Sequence, residues 1–77
     1  MSGYNKQGNY LMGLANQKLK ISTLPGLAKR TGIPYQRLQS KIGKQGYFGN
    51  IRADDLRALF RILRMTGEEQ AKLWEID

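Results

Sequence analysis

Apolar positions recur along the chain at intervals of three and four, and glycine, proline and small polar residues break the runs, so the pattern is helical. Tyr10, Leu11, Leu14, Ala15, Lys18 and Leu19 share one face and predict a first helix capped by Asn9 and weakened by Gly13. Ser22 and Thr23 are cap residues ahead of Pro25, which suits a first helical turn, so a second helix is expected from about Leu24 to Thr31, ending at Gly32. Pro34 opens a third, from about Pro34 to Ile42. Gly43, Gly46 and Gly49 then punctuate an irregular loop whose Tyr47 and Phe48 are expected to tuck partly inward. The stripe Ile51, Leu56, Leu59, Phe60 and Leu63 marks a fourth helix, with Arg57, Arg61 and Arg64 on the other side beside Asp54 and Asp55 as a charge-balanced solvent face. Thr66 and Glu69 have the spacing of a capping box, and Leu73, Trp74 and Ile76 follow in a fifth helix.

No strand pattern competes, so the fold expected is all-α: a compact bundle of about five short helices. Residues 1–8 carry two glycines and no apolar periodicity, and read as a flexible, disordered arm, with entry into a groove of a partner as the alternative. Residues 9–77 form the one domain that a chain of 77 residues supports.

Composition narrows the chemistry. The chain has no cysteine and no histidine, which removes disulfides, thiolate sites and the usual zinc ligands and general bases, so neither metal nor cofactor nor enzymatic activity is expected. Its apolar runs are far shorter than the roughly 20 residues of a membrane span, and Met1-Ser2-Gly3 does not start a leader, so a cytoplasmic protein is expected.

Charge changes the picture most. The formal charge is +7, and all six acids (Asp54, Asp55, Glu68, Glu69, Glu75 and Asp77) lie beyond residue 53. Residues 1–53 therefore carry +9, and residues 54–77 carry −2. A unipolar basic segment attracts a polyanion through counterion release.

Within that segment the second and third helices, joined through Gly32 and Ile33, have the dimensions of a helix-turn-helix. Ala28 is small where the helices approach, and Leu27, Ile33, Leu38 and Ile42 form the expected shared core. With Leu38 and Ile42 inward, Gln36 and Ser40 point outward, flanked by Arg37 and Gln39. Glutamine pairs with the adenine N6/N7 edge and arginine with the guanine O6/N7 edge, so this face suits the major groove.

The runs LPGLAKRTGIPYQRLQSKIG and IRADDLRALFRILRMTGEE resemble the lambda repressor/Cro-like family of helix-turn-helix DNA-binding domains, from about Tyr10 to Trp74. Three positions depart from it: Leu24 stands where many members have glutamine, Pro34 replaces a serine or threonine cap, and Lys41 takes an often apolar place. The resemblance implies that Tyr35, Gln36 and Ser40 read bases and that Lys44 and Gln45 lie in a phosphate-contacting loop. Arg37 and Gln39 join the base-reading set, while Thr23, Lys29, Arg30 and Lys41 join the phosphate set; Lys18 and Lys20 are weaker members of it. Leu73, Trp74 and Ile76 either close the core or make a two-fold contact in a homodimer on DNA. The expectation is a sequence-specific transcription regulator of phage or prophage type acting on double-stranded DNA, without a small-molecule ligand. The rival is a protein-binding module, such as an antitoxin or antirepressor, that turns its basic face to an acidic partner.

Overall fold

A computed structural model describes residues 3–76, and within them the chain is all-α, with five α-helices and one 3-10 turn. The α-helices are α1 (Lys6–Leu19), α2 (Leu24–Thr31), α3 (Tyr35–Ile42), α4 (Ala53–Ile62) and α5 (Gly67–Glu75), and the 3-10 turn spans Phe48–Asn50. Each α-helix starts and stops where local chemistry permits. Thr23 caps α2 by accepting from the Gly26 N–H, and Pro25 occupies its first turn. Gly32 ends α2 at φ 80°, a left-handed conformation that a residue with a Cβ adopts only under strain. Thr31 ties that turn together, donating to the Leu27 carbonyl and accepting from the Ile33 N–H. The Thr66/Glu69 capping box is present with both reciprocal bonds, at 3.0 Å each.

One apolar cluster joins the helices. Leu11, Leu14 and Ala15 of α1, Leu27 and Ala28 of α2, Leu38 and Ile42 of α3, and Leu59, Leu63 and Leu73 meet with Ile33 at the corner and Phe48 from the loop. The expected quartet Leu27, Ile33, Leu38 and Ile42 is buried in full. Leu24 is buried as well and so serves the core.

Several expectations are corrected. The first helix starts at Lys6, not beyond Asn9, because Asn5 is its cap. The segment expected as an arm is docked, apart from Met1 and Ser2, which lie outside the described residues. Tyr4 pairs with Gly43 in an isolated antiparallel bridge, and the Asn5 N–H donates to the Ile42 carbonyl at 3.1 Å. Gly8, which suggested flexibility, is buried against the end of α3: a Cβ there would lie 2.1 Å from the Ile42 carbonyl oxygen. Its missing side chain permits a helix crossing. Pro34 is the residue before α3, Ile51 precedes α4, and of the two loop aromatics only Phe48 turns inward, leaving Tyr47 69% exposed.

Candidate nucleic-acid interface

The third helix buries only Leu38 and Ile42 and turns Tyr35, Gln36, Gln39 and Ser40 to solvent, as the 100° wheel requires. Tyr35 is 42% exposed, which places the ring at the surface. No side chain caps the N-terminus of α3, since Pro34 has no acceptor, and its first-turn amides lie beside Tyr35 and Gln36. The end of α3 is set by the following loop. The Tyr47 N–H donates to the Ser40 carbonyl at 3.0 Å, and Gly46 passes so close that a Cβ would sit 2.7 Å from that same oxygen. The result is one concave surface lined by Gln39, Ser40, Lys44, Gln45 and Gly46, with Gly3 at its edge.

The residue that organises this surface is Asn5. Its Oδ1 accepts from the Gly8 N–H at 2.7 Å, and its Nδ2 donates to the Lys41 carbonyl at 2.8 Å and the Gly46 carbonyl at 3.1 Å. One side chain thus caps α1 and clamps the last turn of α3 to the loop. Sequence reasoning missed it, although asparagine three residues before a glycine at a helix start was a usable cap signal.

Arg37 does not join the exposed face of Gln36, Gln39 and Ser40. Its Nε and Nη2 donate to Asp55 Oδ2 and Oδ1 at 2.7 and 2.9 Å, a bidentate pair that fixes α3 to the first turn of α4. The hydrogen bond from Arg37 to Asp55 holds the guanidinium pKa above its ordinary value. Asp55 itself is buried. The pair explains an acid inside a helix stripe that otherwise reads as solvent-facing, and the fork expected on guanine is occupied.

The expected phosphate set is divided. Lys44 and Gln45 border the concave surface with Gln39 and Ser40. Lys41 donates to Asn50 Oδ1 at 2.7 Å and so braces the loop. Lys29 lies near Tyr35 along the α2–α3 turn, and Thr23 is engaged as the cap of α2. Arg30 instead borders a separate groove with Arg61 and Arg64. Lys18 is also structural: its Nζ donates to the Leu63 and Arg64 carbonyls at the end of α4 and pairs with Glu69. That bond from Lys18, followed by the backbone bond from Thr66, lowers the Glu69 pKa.

Of the three residues expected either to close the core or to make a dimer contact, Leu73 takes the core place at 1% exposure. Trp74 is 53% exposed and leans on Phe48 with ring centroids 5.6 Å apart. Ile76 is half-buried, and its carbonyl accepts from Gln7 Nε2. No group of metal-ligating side chains is found among the described residues, and none of their helices is long and apolar enough to cross a membrane. No family model, curated protein or solved structure matches the chain.

Proposed function

We propose that the chain binds double-stranded DNA in a sequence-specific manner as a small transcription regulator of the lambda repressor/Cro type, from a phage or prophage. The observation that carries this reading is the continuity of the exposed α3 side chains Gln39 and Ser40 with Lys44 and Gln45, with Gln36 exposed one turn earlier on the same helix, inside a 53-residue segment that holds no acid. Amide and hydroxyl groups on an exposed helix face match the donor and acceptor pattern of major-groove base edges. Lysine and backbone amides beside them suit phosphates, and the open N-terminus of α3 adds partial positive charge. Arg37, tied to Asp55, acts here as the brace that sets the angle of α3, so reading falls to Gln36, Gln39 and Ser40. Two copies on half-sites about 34 Å apart, in contact through Trp74 and Ile76, give the symmetric arrangement a short module needs for affinity.

A mobility-shift titration over a series of salt concentrations tests this. The logarithm of the affinity falls linearly with the logarithm of the salt concentration, with a slope near −0.9 per phosphate neutralised. Gln36→Ala relaxes discrimination at one or two base pairs at a cost of about 1–3 kcal/mol on the preferred site, whereas Lys44→Ala weakens all duplexes alike and reduces the slope by about one unit. Equal losses on preferred and random duplexes in both variants refute α3 as the reader.

A further inference from the structure

A second cationic surface lies apart from α3 and its loop. Arg30 near the end of α2, Arg61 in the last turn of α4 and Arg64 just beyond it border a groove also lined by Lys18 and the half-buried Leu19 and Ile62, over the buried Leu63. It shares no residue with the concavity of Gln39 and Lys44. Arginines at helix C-termini often serve the helix dipole and its unpaired carbonyls. Here several of those carbonyls have other partners. Lys18 Nζ takes the Leu63 and Arg64 carbonyls, the Gly32 N–H takes the Ala28 carbonyl, and the Lys20 and Ile21 N–H groups take those of Asn16 and Ala15. Three acids are committed elsewhere: Asp54 to Arg57, Asp55 to Arg37 and Glu69 to Lys18. Among the described residues, the guanidinium groups of Arg30, Arg61 and Arg64 have no hydrogen-bond or ion-pair partner, so the charge-balanced face expected for Arg57, Arg61 and Arg64 holds for Arg57 alone.

We propose that this groove is a docking site for an acidic, aliphatic peptide segment of a partner protein. Three unpaired arginines call for carboxylates, which the planar guanidinium fork binds in bidentate fashion. The half-buried Leu19 and Ile62 select between anions. A peptide that alternates acidic and aliphatic side chains meets both the arginines and the apolar lining, whereas a single nucleic-acid strand is held by aromatic stacking platforms, which this groove lacks among its lining residues, and a duplex backbone brings phosphates but no aliphatic side chain. Because the groove and the α3 surface share no residue, a partner and a duplex bind together, and the protein can deliver the partner to DNA.

The test uses a fluorescein-labelled peptide alternating aspartate and leucine, followed by anisotropy against the full chain. Binding is saturable and weakens with salt, and Arg61→Gln combined with Arg64→Gln lowers the affinity at least about tenfold, the scale of one lost charge-assisted bond. Both side chains are exposed, so far-UV circular dichroism of the double variant matches that of the parent. Replacing aspartate by asparagine in the peptide abolishes binding, and replacing leucine by serine weakens it. A saturating duplex leaves the peptide affinity unchanged. Equal binding by the asparagine peptide, equal binding by the double variant, or displacement by duplex overturns the proposal, the last assigning the arginines to nucleic acid. The DNA reading is judged separately by Gln36→Ala and Lys44→Ala, which leave peptide binding intact.

Discussion

Replacing Asn5 by alanine removes three hydrogen bonds at once: the cap to the Gly8 N–H and the two ties to the Lys41 and Gly46 carbonyls. Loss of an asparagine cap costs about 1 kcal/mol. Each of the two partly buried neutral ties contributes about 0.5–1 kcal/mol net, so the variant is destabilised by about 2–3 kcal/mol. A domain of this size has about 4–11 kcal/mol in all, and each kilocalorie moves the melting temperature by about 4–8 °C. Asn5→Ala is therefore expected to melt about 10–20 °C lower, followed by circular dichroism at the helix band. Asn5→Ser separates the two roles, because a serine hydroxyl keeps the cap but does not reach both carbonyls; its loss is about half as large. A change below about 3 °C for Asn5→Ala would show that residues 3–8 hang free of α3 and that the loop carrying Lys44 is positioned by something else.

Gly8→Ala places a carbon 2.1 Å from the Ile42 carbonyl oxygen, and since both elements are backbone, α1 must move off α3; a loss of about 1–3 kcal/mol or more is expected in urea titration. For Arg37 and Asp55, each of Arg37→Ala and Asp55→Asn lowers the urea midpoint, the double variant resembles the worse single one, and the salt slope of duplex binding is unchanged in Arg37→Ala; a shallower slope would show that Arg37 neutralises a phosphate and is not spent on Asp55. Glu69 has a folded pKa below its ordinary value, so the unfolded chain binds the proton more readily and stability rises with pH through that window. Its contribution is complete above the ordinary carboxylate pKa of about 4.3 and is lost as pH falls through the lowered folded value; Glu69→Gln flattens this acid limb of the thermal midpoint, and an unaltered limb would refute the Lys18–Glu69 contact.

The sequence by itself determined the helical class, the α2–turn–α3 unit and its core, because Leu27, Ile33, Leu38 and Ile42 obey a period that requires only a helix and one apolar side. Turn and cap chemistry was equally local: Gly32, Thr23 and the Thr66/Glu69 box act within four residues. The exposed positions Gln36, Gln39 and Ser40 followed from the same wheel.

Whatever depended on contacts distant along the chain was decided only by the tertiary structure. Gly8 and Asn5 looked like arm residues because their partners lie 34 to 41 positions away, and a glycine selected for close approach is compositionally identical to one selected for freedom. Arg37 and Asp55 are 18 apart, so neither revealed the other, and Lys18 found its carbonyls 45 and 46 positions on. Charge pattern reports the sum of a surface, but which cations are spent on internal acids and carbonyls, and which remain free as at Arg30, Arg61 and Arg64, depends on distances of a few ångströms that only packing sets.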